Sequence, residues 1–218
     1  MNILCIMETF IYESKLRDIS LCDKLIQYHK QDVNYKQRGS AGAVENTQVK
    51  KSTDVYVYPG TSNPMIQQYL HELMDTLQEY FDRYEMPNGF MVDLNSGWNI
   101  QHYAPGEGFY SWHCERSVAM DRHRALVFMT YLNDVTDGGE TEWLYQDIKV
   151  KAEKGKTVIW PTDFTHTHRG IPSPTQHKFI ATGWFTFLDP VNIEAHYKIT
   201  SDELRKENNE LRAKLLKK

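Results

Sequence analysis

Four side chains in this sequence stand at spacings that chemistry can use. In WNIQHYAPGEGFYSWHCE, Trp98 to Glu115, an imidazole and a carboxylate, His113 and Glu115, lie two residues apart. In FTHTHRGIPSPTQHKFIATGWF a second imidazole, His168, is followed ten residues later by Lys178. On an extended strand, side chains two apart point the same way, so His113 and Glu115 can bind one ion while Cys114 faces the other side. A third ligand from a distant strand would complete a facial triad, which takes one face of an octahedral metal and leaves three positions open. His168 is the choice for that ligand. His166 shares its side if the stretch is extended, and THTHRG alone does not decide between them; Gly170 and Lys178 favour His168. Two imidazoles, one carboxylate and an ammonium at a fixed distance describe an iron site that holds an anionic co-substrate. Zinc fits less well, since Cys114 would point away from His113 and Cys5 and Cys22 are far off in sequence.

Strands are needed to position such a set, and from residue 90 onward the pattern supplies them. WNIQHY, RALVFMTYL, TVIW and KFIATGWFTF are rich in aromatic and β-branched residues, and APGEG, NDVTDGGE, EKGK and RGIPSP carry turn chemistry. Short strands without intervening helical patterns predict an antiparallel barrel or jelly roll. Lys178, Ile180, Thr182 and Trp184 would share one face of the last strand. Upstream, Cys22, Leu25, Ile26 and His29 recur at helical spacing within residues 18–31, behind a cap at Asp18 or Ser20. A wide apolar stripe from Ile66 to Tyr84 predicts a second helix over about Asn63 to Tyr84, with Pro64 in its first turn. Both helices should cover an outer face of the barrel. Between them, residues 32–52 carry Gly39, Ser40, Gly42 and Asn46 with almost no apolar periodicity, and a loop that long in a compact domain is functional or disordered.

The fold class is therefore α+β, mainly β: a jelly-roll core with N-terminal supporting helices and a C-terminal helix. One domain spans 1–200, with helical and loop support over 1–89 and the core over 90–190. The tail 201–218 places Leu204, Asn208, Leu211 and Leu215 at coiled-coil seam spacing, barely two heptads, so it is either a docked terminal helix or a homodimer contact.

Bulk properties narrow the partners. The 218 residues suit one domain, and a net charge of −4 gives no footprint for a nucleic-acid backbone. No stretch approaches a membrane span, and the start lacks the pattern of a secretory signal. Three cysteines without metal-type spacing point to a reducing compartment, with the cytoplasm as the default.

The stretch from about Asn99 to Phe187 resembles the iron and 2-oxoglutarate dependent dioxygenases of the prolyl 4-hydroxylase-like branch. The matching elements are Tyr103, PGEG, Tyr110, His113, Glu115, the TYLND run, GGET, WP at 160 and 161, HRG, and Lys178 followed by a GW pair. The resemblance implies a double-stranded β-helix that binds Fe(II) through His113, Glu115 and His168, with 2-oxoglutarate and O2 as co-substrates and ascorbate as a candidate reductant. It implies that Lys178 pairs with the far carboxylate of 2-oxoglutarate, that Tyr131 adds a hydrogen bond there, and that Tyr103 lies near the metal-bound end. The reaction implied is hydroxylation of a C–H bond, with release of succinate and CO2. The substrate implied is a prolyl residue in a peptide or protein; a free amino acid or other small molecule, or a metal-binding module without turnover, are the alternatives. Most of the family has Asp where this chain has Glu115, which leaves the triad credible and the coordination open. His102, His123, His166 and His177 receive no catalytic role.

Overall fold

The computed structural model describes residues 8–31, 36–39 and 46–188. In chain order these form β1 (Tyr12–Lys15), α1 (Ser20–Gln31), β2 (Lys36–Arg38), β3 (Thr53–Val57), α2 (Pro64–Arg83), β4 (Val92–Asp93), β5 (Trp98–Tyr103), β6 (Arg124–Tyr131), β7 (Thr141–Trp143), β8 (Ile148–Val150), β9 (Lys156–Pro161), β10 (His168–Gly170) and β11 (Lys178–Phe187). The larger sheet runs β1-β9-β6-β11-β5-β3-β2, with β4 against the end of β11; the smaller runs β10-β7-β8. The strand pairs in both sheets are antiparallel.

Alternation along β6 shows how the two layers form. Leu126 and Phe128 join the core under the helices, whereas Val127, Met129 and Tyr131 join the core between the two sheets with Trp143, Val150, Val158, Trp160 and Ile180. The period of two thus serves two cores at once, and every residue of β6 after Arg124 is buried. Both helices lie on the outer face of the larger sheet, burying Leu21, Leu25, Ile66, Tyr69 and Leu73 against Trp98, Ile100 and Phe128. α2 starts where its sequence directs: the Asn63 side chain accepts from the Met65 and Ile66 amides, with Pro64 in the first turn. Glu72 of α2 accepts from the backbone N–H groups of Arg17 and Asp18, which fixes the entry to α1. Gly183 is required at the centre of β11, because a Cβ there would stand 2.5 Å from the Trp98 Cβ.

The N-terminal region departs from the helix-and-loop support expected of residues 1–89. It also supplies β1, which pairs with β9, and β3, which pairs with β5 and carries β2 beyond it, so the main sheet extends in both directions with early residues. These strands are short and polar on one face, which hid them among the loop signals. The seam at 201–218, and residues 32–35 and 40–45 of the long segment, lie outside the described residues.

Candidate metal centre and co-substrate cavity

His113 lies on no regular strand. It forms a single bridge with His168, the first residue of β10, and the two exchange backbone hydrogen bonds of 3.0 and 2.8 Å. Two residues on, the Glu115 amide donates to the Thr162 carbonyl at 3.1 Å. The HCE run is thereby stitched to both β10 and the end of β9. His113 and Glu115 still converge as expected, although an isolated bridge and not a regular strand holds them.

Three ligand atoms converge. Glu115 Oε1 is 3.4 Å from His113 Nε2 and 3.5 Å from His168 Nε2, and the three side chains form the one such group among the described residues. Each Nδ1 is 2.9 Å from a backbone carbonyl, that of Ser111 for His113 and of His166 for His168. A carbonyl only accepts, so the hydrogen sits on Nδ1 and, in a neutral ring, the Nε2 lone pair faces Glu115. Ligands at right angles on bonds of about 2.1 Å would stand roughly 3 Å apart, close to these spacings. His166 is elsewhere: it ends a 3-10 turn, with Nε2 2.9 Å from the Thr9 carbonyl and Nδ1 3.0 Å from Thr165 Oγ1.

The carboxylate is strongly held. Burial alone would raise the Glu115 carboxyl, but in the metal-free site a proton on Nε2 of His113 or His168 hydrogen-bonds and charge-pairs with it, which outweighs burial and keeps it well below the usual range. Trp184 Nε1 donates to the other oxygen, Oε2, at 3.0 Å, and Arg124 donates to the Glu115 backbone carbonyl at 2.9 Å. Burial, with the nearby charge of His113, lowers His168, which favours the neutral ligand form. Phe109 stacks on the His113 ring at 3.5 Å and 8°, and Trp160 meets His168 edge-on at 5.1 Å.

The triad opens into a cavity of about 870 Å³. Lys178, Ile180, Thr182 and Trp184 all line it, as strand parity requires, and Asn99, Gln101 and Tyr103 of β5 line it beside them. The Lys178 ammonium is buried 5.6 Å from the centre of the Tyr103 ring and 5.5 Å from that of Tyr131. It donates to the Gly139 carbonyl at 2.8 Å, and among the described residues no carboxylate forms an ion pair with it. Burial pushes it down to about 8. Gly138 and Gly139 both take left-handed backbone angles, φ 75° and 84°, which the GGET turn needs to present that carbonyl.

Tyr103 lines the cavity with its hydroxyl donating to Gln101 Oε1 at 2.6 Å. Tyr131 is fully buried and is not part of the lining; its hydroxyl donates to Thr141 Oγ1 at 2.7 Å and lies 3.2 Å from the Val150 carbonyl. Thr141 lines the cavity instead, and among the described residues its own hydroxyl donates to the Met129 sulfur at 3.7 Å. Thr141 is the threonine of GGET and was not singled out from the sequence. Nor was the buried Lys50–Asp54 pair, 2.8 Å apart on the same lining, in which Asp54 Oδ1 has no hydrogen-bond partner among the described residues.

These residues fit both groups that the sequence implied. The donor set, two neutral imidazoles and one carboxylate on one face, suits Fe(II) with positions left open. A buried ammonium without a carboxylate partner among the described residues, in one cavity with a threonine hydroxyl, suits the far carboxylate of a dicarboxylate.

Residues 98–186 match the model of the 2OG-Fe(II) oxygenase superfamily. No curated protein matches the chain. Among solved structures it is similar to a prolyl-4-hydroxylase of Pseudomonas putida, with TM-score 0.64 and 17% identity over 81% of this chain and 92% of that one. A prolyl hydroxylase of Trichoplax adhaerens, solved with a peptide of the hypoxia inducible factor oxygen degradation domain, gives 0.65 and 14% over 82% and 84%. The viral collagen prolyl hydroxylase of Paramecium Bursaria Chlorella virus-1, in its 2OG complex, gives 0.59 and 17% over 83% and 97%. At these identities the likeness shows the fold.

Proposed function

We propose that this chain, a 2-oxoglutarate-dependent iron dioxygenase by its residues 98–186 and its His-Glu-His set, hydroxylates a C–H bond of a prolyl residue in a peptide or protein. The observation that carries the oxygenase chemistry is Lys178: a buried ammonium without a carboxylate partner among the described residues, in the same cavity as three convergent metal ligands. Fe(II) bound there with 2-oxoglutarate supplies O2 activation, the co-substrate leaving as succinate and CO2. The chain's own part is positioning and exclusion of water. Lys178 and the Thr141 hydroxyl hold the far carboxylate, the triad keeps to one face, and Met129, Trp160 and Ile180 keep that end dry.

A polypeptide substrate is supported by the cavity mouth. Trp112, Val118 and Met120 line it while remaining 36%, 56% and 84% exposed, and Met120 also borders an open groove of about 730 Å³ that runs to Phe187. Apolar side chains that stay in water beside a reaction cavity favour an extended chain over a small enclosed metabolite. Gln37, Val49 and Lys50 of the long segment also line the cavity, which supports a further reading of that segment as a lid over bound substrate. The prolyl hydroxylase of Trichoplax, solved with a peptide on this fold, is in keeping with that reading. A reducing compartment is in keeping with the free thiols of Cys22 and Cys114. Incubation of the Fe(II) enzyme with 2-oxoglutarate and proline-containing peptides, scored for gain of one oxygen coupled to succinate, tests the proposal. Coupled turnover of peptides supports it; coupled turnover confined to free amino acids or other metabolites overturns the peptide part.

A further inference from the structure

The ligand carboxylate is a glutamate, one methylene longer than the residue most relatives of this branch would place there, and the structure shows what takes up the extra reach. Glu115 Oε1 faces both imidazoles at 3.4 and 3.5 Å, while Oε2 accepts the indole N–H of Trp184 at 3.0 Å. The indole is itself fixed. The Arg124 guanidinium lies 3.6 Å over its ring, donates to the Glu115 backbone carbonyl at 2.9 Å, and pairs with Asp121 at 3.0 Å. Arg124 reaches this position through a bulge: β11 pairs Phe185 with Leu126 but Thr186 with Arg124, so Ala125 is an extra residue in β6. In an unbroken ladder Arg124 would share the parity of Leu126 and Phe128, which face the helices; with the bulge, Arg124 lines the cavity.

We infer that Trp184, held by Arg124, is a positioning residue that fixes Glu115 as a one-oxygen ligand and makes glutamate the carboxylate this site requires. Aspartate would draw the carboxylate back by about 1.5 Å, one C–C bond. It could then meet the imidazoles or the indole, but not both. With Oε2 engaged by the N–H, the carboxylate is kept from chelating through both oxygens, and three positions stay open for co-substrates. The inference rests on the triad holding a divalent metal and is independent of the substrate.

The test is anaerobic calorimetry with Fe(II) alone on the full chain, beside the melting temperature of each metal-free variant. Wild type should bind one equivalent, and no binding at all would sink the function proposed above instead of this inference. W184F removes the donor and keeps a ring; it should weaken Fe(II) about tenfold, as loss of a partner behind a ligand does, with the metal-free melting temperature little changed. E115D should weaken binding comparably, and the double variant should be no weaker than E115D, because the indole acts through the glutamate. If W184F misfolds, β-(3-benzothienyl)alanine at position 184 replaces only the N–H with sulfur and carries the same expectation. Wild-type affinity in either variant at position 184, additive losses in the double variant, or full affinity in E115D each overturns the inference.

Discussion

Two pairs of histidines meet across neighbouring chain segments, and one is a ligand set while the other is not. His113 and His168 send each Nδ1 to a backbone carbonyl and turn each Nε2 toward one carboxylate oxygen. His102, on β5, and His177, just before β11, stack at 24° and place His102 Nε2 2.9 Å from His177 Nδ1. That pair uses its ring nitrogens on each other. Burial, then the charges of His177 and His29, push His102 down to about 4, so it is neutral at any physiological pH, yet among the described residues no carboxylate completes a metal group around it. Histidine proximity alone is therefore a poor sign of a metal site. What separates the pairs is the destination of Nδ1 and the presence of a shared anion.

The largest expected effect tests this contrast directly: His113→Ala or His168→Ala should abolish Fe(II) binding, whereas His102→Ala and His177→Ala should leave it intact by calorimetry. Loss of metal in the His102 variant would erase the distinction. Next, Lys178→Ala should raise the KM for 2-oxoglutarate about 100-fold, the upper range for a buried charge-assisted hydrogen bond, with Fe(II) affinity unchanged. Lys178→Arg should recover part of the loss.

The pH dependence has a definite sign. The free enzyme loses the Lys178 charge above about 8, and the bound dianion needs it, so the wild-type KM should be flat below pH 8 and climb roughly tenfold per unit above it. The Arg variant should stay flat across the same range, since guanidinium does not titrate there. A wild-type profile as flat as that of the variant would contradict the role given to Lys178. The same depressed value means that the folded chain binds fewer protons at Lys178 than the unfolded chain does. Burial of this group therefore costs stability below pH 8, and the cost fades as pH rises toward the ordinary lysine value.

Thr141→Val should raise the KM for 2-oxoglutarate about fivefold, one neutral hydrogen bond's worth. The smallest effect is at His166→Ala, where turnover should persist while stability falls by about 1 kcal/mol through loss of the bond to the Thr9 carbonyl, read as a lower melting temperature.

How much of this was legible in the sequence differs by residue. His113, Glu115 and His168 stood out by residue type and spacing, and the shared face of Lys178, Ile180, Thr182 and Trp184 followed from strand parity, because β11 is paired on both sides. His113 and Glu115 converge although the chain there holds one isolated bridge and no ladder. Arg124 was not legible, because a bulge is an insertion in register that a single sequence does not display. Thr141 was hidden for another reason. Tyr131 is larger and sits on a stronger strand, but its hydroxyl is directed onto Thr141 and the Val150 carbonyl, a relation between strands and not within one.

The segment that matches the oxygenase model begins at β5, yet two of its strands owe their outer partners to residues before it. β1 covers the outer edge of β9 through Tyr12 to Lys15, and β3 covers the outer edge of β5 through Thr53 to Val57. β9 carries a TVIW run with no charge, and Trp98 and Ile100 of β5 are buried beneath the helices. A fragment cut to residues 98–186 would thus present two bare, apolar strand edges, each a template for another chain. Such a fragment should accumulate as insoluble aggregate on expression, whereas a chain starting near residue 8 remains dispersed. The early strands act as edge guards, a service to solubility that no inventory of catalytic residues would reveal.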